Sequence, residues 1–235
     1  MSTFVLVHGA WQSSGTWDLL APLLEEHGHR VITPTLRGLG ADQSHLTSEV
    51  TLLQHVEDVS AELASLADKA VLVGHSYAGM IITELGMHPD VKALVYVAAF
   101  QPDVGETAGE LAGKMPAASK AVAPVGDNFL AVNAETFPQD FAADAPKSLA
   151  HFMAISQVPI AADIFAAKVT VAAWKEKPSY AVIPKQDRML NPDLERFMAK
   201  RAKSQTIELP GSHAIFISHA REVAALIEKA AKAAK

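Results

Sequence analysis

The chain contains no cysteine. That absence excludes a disulfide framework, a thiolate nucleophile and any cysteine-built zinc or iron–sulfur site, and it fits a reducing compartment. Long apolar runs are missing too. Nowhere do about 18 consecutive apolar residues occur, so no membrane-spanning helix is expected. The opening Met1-Ser-Thr-Phe-Val-Leu-Val-His8 lacks the basic start and long apolar stretch of a secretory signal, which makes the cytoplasm the expected address. Basic charge is scarce: 20 Lys+Arg stand against 26 Asp+Glu, a net charge of −6, and no basic block is interleaved with aromatics. A nucleic-acid footprint is therefore not expected. Lys229, Lys232 and Lys235, spaced by three among alanines, read as the solvated face and last turn of a C-terminal helix. The ten histidines include no His-Glu-x-x-His or similar spacing, so neither a metal nor any other cofactor is expected.

What is present is an ordinary globular composition, 49% hydrophobic and 20% charged, in 235 residues, enough for one core without a staple. Short runs rich in valine and isoleucine recur, each followed by turn residues and a longer segment with helical spacing. That rhythm predicts a mainly parallel sheet with crossover helices. Strands are predicted near Thr3 to Val7, Arg30 to Pro34, Ala70 to Val73, Ala93 to Ala98, Ser179 to Ile183 and Gln205 to Leu209. Helices are predicted over Trp17 to His27, Leu52 to Ala67 and Ala78 to His88. The rhythm breaks between about Phe100 and Trp174, where prolines, alanines and scattered Phe and Met replace any run that reads as a buried strand. A structureless loop of that length is improbable in a compact domain. The expectation is a core of residues 1–100 and 175–235 with a mainly helical lid inserted over 101–174.

The segment Ala70-Val-Leu-Val-Gly74-His75-Ser76-Tyr77-Ala78-Gly79 runs from a buried strand through a small-residue turn into an apolar helix. This is the form of a nucleophile elbow, which lifts a serine hydroxyl clear of a sheet and sets the next backbone N–H beside a developing oxyanion. Ser76 is the candidate nucleophile. Ala78 stands where the motif usually has glycine, a departure of one methyl. A second oxyanion N–H is expected from the loop Val7-His8-Gly9-Ala10-Trp11, so that the Ala10 and Tyr77 amides form the hole. The hole uses backbone donors, so His8 is read as a structural histidine, and Trp11 and Trp17 as packing residues. After the last strand, Pro210-Gly211-Ser212-His213 places a histidine where a base belongs, and His213 is preferred to His219, which reads as part of a helix cap. The orienting acid is expected to be Asp187, at the end of the preceding strand. Asp103, after Val97-Ala-Ala-Phe-Gln-Pro102, is its competitor.

Four stretches together, Phe4-Val-Leu-Val-His8-Gly-Ala-Trp11, Val73-Gly-His-Ser-Tyr77, Val97-Ala-Ala-Phe-Gln-Pro-Asp103 and Gly211-Ser-His213, resemble the α/β-hydrolase branch of plant methyl-ester esterases, hydroxynitrile lyases and bacterial carboxylesterases. Asp187-Arg188 and Arg196-Phe-Met-Ala-Lys-Arg201 resemble its bacterial members. The resemblance covers nearly the whole chain. It implies the α/β-hydrolase fold, a triad of Ser76, Asp187 and His213, and oxyanion amides at Ala10 and Tyr77. The lyases carry a lysine after the triad histidine, whereas this chain has Ala214, which counts against lyase chemistry. An aspartate at the elbow, as in dehalogenases and epoxide hydrolases of this fold, is excluded by Ser76. The expected activity is carboxylesterase-like hydrolysis of a small, uncharged, partly hydrophobic ester. A lyase and a ligand-binding receptor of the same fold remain as alternatives. Phe129, Phe137, Phe141, Phe152, Met153 and Phe165 are candidates to line the substrate pocket. Self-association as a homodimer is left open.

Overall fold

The computed structural model describes residues 1–40 and 46–233. Lys235 lies outside that range, while Lys229 and Lys232 are exposed on the helix predicted for them. Six strands form one sheet: β1 (Thr3–Val7), β2 (Arg30–Ile32), β3 (Ala70–His75), β4 (Val91–Val97), β8 (Ser179–Pro184) and β9 (Gln205–Leu209). Their spatial order is β2-β1-β3-β4-β8-β9, and every pairing is parallel. The central strands β1 and β3 are buried along their whole length. A strand covered on both faces must be apolar at every position, which is why these segments read as continuous valine-rich runs.

The chain moves outward from β1 to β2 and then crosses back to β3 and β4. With right-handed crossovers, this reversal puts α1 (Ala21–Glu26) on one face, and α2 (Leu52–Leu63) and α3 (Ala78–Leu85) on the other. The packing agrees: α2 lies against α3, and α1 lies against the C-terminal helix α9 (Ala220–Ala233), which covers β3, β4 and β8. A capping box between Thr51 and Gln54 starts α2.

Between β4 and β8 the chain forms α4 (Ala108–Lys114), α5 (Phe137–Phe141) and α6 (Lys147–Ser156). The same stretch also contains a small antiparallel sheet of β5 (Val122–Val125), β6 (Phe129–Val132) and β7 (Ile160–Ala161). The insertion, expected to be mainly helical, thus holds short strands beside its helices. The strands are four, four and two residues long, β5 is exposed throughout, and it contains Pro124, so none carries the apolar signature of a buried strand.

Candidate active site

All the candidate residues come from the C-terminal ends of parallel strands, the edge at which open α/β sheets bind ligands. The loop 8–11 follows β1, Ser76 follows β3, Asp187 follows β8 and His213 follows β9.

Ser76 sits at φ +54°, a left-handed conformation that an ordinary side chain avoids. Its N–H donates to the Val97 carbonyl at 3.2 Å, and its carbonyl accepts from Gly79 and Phe100 at 3.0 and 3.2 Å. The turn is therefore fixed from both strand and helix. Close approach enforces the surrounding small residues. A Cβ on Gly74 would lie 2.8 Å from the Ala78 carbonyl oxygen, and one on Gly79 would lie 1.8 Å from that of Phe100. Ala78 itself is fully buried, so its single methyl fits.

Gly9 is required for a similar reason, since a Cβ there would stand 2.9 Å from His75 Nδ1 and 3.0 Å from Ser76 Cβ. The loop 8–11 thus rests directly on the elbow. Among the described residues, neither the Ala10 nor the Tyr77 N–H has a protein acceptor. His8 is structural in this geometry: its Nδ1–H donates to the Gly9 carbonyl at 2.9 Å, and its Nε2 accepts the Leu36 N–H at 3.1 Å. Burial pushes its pKa down to about 4, so the ring is neutral.

His213 is buried, and its Nδ1–H donates to Asp187 Oδ2 at 2.6 Å. The other Asp187 oxygen accepts the N–H groups of Met189 and Leu190 at 2.8 and 2.9 Å. The opposite ring nitrogen of His213, Nε2, has no protein partner, and the residue lines the same cavity as Ser76 and Ala10. Asp103 is elsewhere, paired with Lys175, and His219 faces Glu222 at the start of α9. The structure thus joins His213 to Asp187 and leaves both competitors outside the site.

Three groups that the sequence reading passed over support this arrangement. His75 donates from Nε2–H to the His213 carbonyl at 3.1 Å, and its ring lies 4.6 Å from that of His213. Burial, and then the neighbouring His213, hold His75 well below the ordinary histidine pKa. His55 accepts the Tyr77 hydroxyl at Nδ1, 3.1 Å, and donates from Nε2–H to the Arg37 carbonyl, which anchors the residue bearing the second candidate oxyanion amide. Asp144 accepts the hydroxyls of Ser212 and Ser218 and so ties the insertion to the histidine loop. Burial alone would raise the Asp144 pKa, but these donors hold it below the usual carboxylate range. A histidine inside an otherwise apolar elbow was the one visible signal for His75.

The cavity has a volume of about 260 Å³, and Trp11, Phe100, Leu130, Phe165, Met189 and Leu190 contribute its apolar walls. Among the described residues, no Asp, Glu, Lys or Arg lines it. Of the six insertion residues predicted to line the pocket, Phe165 does so. Phe137 and Phe141 stack on one another at 4.6 Å inside the insertion, and Phe141 meets the His213 ring edge-on at 4.9 Å. Phe129 borders a separate crevice near Arg37, while Phe152 and Met153 border a hollow on the outer side beside Gln12. Trp17 is a core residue as expected, but Trp11 is a wall of the cavity.

A strained serine between strand and helix, with a carboxylate-held histidine at the same sheet edge, is the architecture of an α/β hydrolase. The chain belongs to that family: the sequence pattern of the alpha/beta hydrolase family matches residues 4–226. It is 44% identical over 111 residues to the carbendazim hydrolyzing esterase of Nocardioides sp. (strain SG-4G), covering 46% of each chain. It is 38% identical over 104 residues to methylesterase 8 of Arabidopsis thaliana, covering 43% of this chain and 38% of that one. These alignments span less than half the length of either relative. The whole fold is similar to a pyrethroid hydrolase from Sphingobium faniae JZ-2, with a TM-score of 0.84, 26% identity, and coverage of 99% of this chain and 98% of that one. No helix among the described residues is long and apolar enough to cross a membrane.

Proposed function

We propose that the chain is a serine esterase that hydrolyses a small, uncharged, partly hydrophobic carboxylic ester through an acyl-enzyme on Ser76. The observation that carries this reading is the single cavity bordered by Ser76 and by a His213 whose far nitrogen is fixed by Asp187 at 2.6 Å. In the proposed reaction His213 Nε2 takes the Ser76 proton as the hydroxyl attacks the ester carbonyl. It then returns the proton to the departing alcohol, and a water repeats the sequence to release the acid. Asp187 keeps the imidazole in the tautomer that leaves Nε2 free and stabilises its charged form. The Ala10 and Tyr77 N–H groups receive the oxyanion.

The apolar, uncharged lining supports a neutral substrate, because a carboxylate moved into it would lose its hydration without gaining a cation. The esterase relatives support the same chemistry. Ala214, which follows the base, carries no ammonium to hold a cyanide, and this favours hydrolysis over lyase chemistry. The residues of the insertion are read as the lid that shapes the pocket. The test is turnover of p-nitrophenyl acetate and butyrate by the wild type and by Ser76→Ala. Hydrolysis that falls by at least about 10⁴-fold in the variant supports the proposal. Equal rates in both proteins, or release of cyanide from mandelonitrile without ester turnover, would reject it.

A further inference from the structure

Trp11 directly follows Ala10 and is held in an unusual way. Its backbone lies at φ +65°, a region a bulky side chain enters only when its surroundings dictate it. Two hydrogen bonds from the insertion supply that dictation. The indole N–H donates to the Leu130 carbonyl at 2.9 Å, and the Trp11 carbonyl accepts the Val158 N–H at 3.0 Å. Leu130 belongs to β6, which pairs with β7 at Ile160, two residues after Val158. One bond therefore comes from the small antiparallel sheet and the other from the segment that leads into it. The indole also stacks on Phe165 at 6.1 Å, and Phe165 in turn packs on the ring of Tyr77 at 5.9 Å. On the other side of the loop, Gly9 is pressed against His75 and Ser76.

We infer that Trp11 is a positioning residue through which the insertion, by β6 and the segment leading into β7, fixes the oxyanion loop, setting the Ala10 N–H against the elbow. The inference rests on the assignment of Ala10 to the oxyanion hole. A tryptophan that served only as a cavity wall would need neither the left-handed backbone nor bonds at both its main-chain oxygen and its ring nitrogen. The arrangement makes the hole a composite of core and insertion: the elbow supports the loop from below and the insertion grips it from above. The insertion then does more than shape the pocket, because it sets where the oxyanion is received.

Two variants remove the grip at separate atoms. Trp11→Phe keeps a flat aromatic wall but deletes the donor to Leu130. Val158→Pro deletes the other donor at a residue that does not line the cavity, and Gln157, at φ −60° and ψ 145°, already has the backbone that a following proline requires. Each variant is expected to lower kcat on p-nitrophenyl butyrate about tenfold, less than the 10²–10³ lost when an oxyanion donor is removed outright. KM should stay within about twofold, and fluorophosphonate labelling should slow in parallel with kcat. Unchanged kcat with a lowered melting temperature would overturn the inference, as would a raised KM with kcat intact, which marks a substrate contact. The Ala10 amide resonance of alanine-labelled Val158→Pro reads the loop without any reaction. A shift there, with Ala70 and Ala93 of the sheet unmoved, is expected even if the wild type hydrolyses no ester. An unmoved Ala10 resonance would overturn the inference independently of the esterase reading.

Discussion

Asp187 and Glu195 are two buried carboxyls close to each other, and their surroundings differ. Asp187 receives His213 and two backbone N–H groups. Glu195, on α7 (Pro192–Arg201), has an Oε1 with no donor, and burial, followed by the Asp187 charge, raises its pKa well above the carboxylate range. Folding therefore requires Glu195 to keep a proton that the unfolded chain releases near pH 4.3. Its contribution is harmless below that pH and destabilises as pH rises, by about 1.4 kcal/mol per unit until the folded pKa is reached. Glu195→Gln is expected to raise the melting temperature, with no gain at pH 4 and a gain that grows as pH rises above about 4.3. A gain independent of pH would show that Glu195 is charged in the fold. For the orienting acid, Asp187→Asn should lower kcat by about 10³–10⁴, while Asp103→Asn stays within about twofold of wild type. Kinetics of the pair on one ester decide between the two aspartates. The pairing of Asp187 with His213 was legible because each follows a strand of the parallel sheet, β8 and β9. Glu195 was not, since a glutamate in a charged helical segment gives no sign of the face it turns inward.

At the scale of elements, the core strands were readable because burial on both faces forces an apolar run, and β1 falls where the pattern put it. The insertion was not readable at that level. Its strands are short and partly exposed, and their role is visible only through their partners, above all Trp11. The same limit explains the pocket aromatics. Phe152 and Phe165 look alike in sequence, yet Phe152 is 60% exposed on the outer side and Phe165 faces the serine cavity, because tertiary packing decides which face of the insertion meets the core. Phe165→Ala should accordingly widen the range of acyl chains accepted across a p-nitrophenyl ester series, and Phe152→Ala should leave that profile unchanged. The reverse pattern would place the substrate on the outer hollow.

Besides His213, three buried histidines among the described residues, His8, His55 and His75, hold their hydrogen bonds as neutral rings. Burial is the leading cause of the lowered pKa in each, with His8 at about 4. The unfolded chain protonates them near pH 6.5 and the folded chain resists, so their stabilising effect is complete above that pH. It declines as pH falls below about 6.5, for His8 down to about 4. Glu195 works in the opposite sense above about pH 4.3, and three histidines against one carboxyl leave the surplus of bound protons with the unfolded state. The urea midpoint is expected to fall steeply from pH 7 to pH 4.5. A flat profile would mean that these rings are not buried as neutral species.

The central claim is that Ser76 forms a covalent acyl-enzyme. Intact-mass analysis after treatment with a fluorophosphonate, followed by peptide mapping, tests it most directly. A single adduct on the peptide carrying Ser76, absent from Ser76→Ala and strongly reduced in His213→Ala, is the predicted result. No adduct on the wild type, or an adduct that persists in Ser76→Ala, would contradict it.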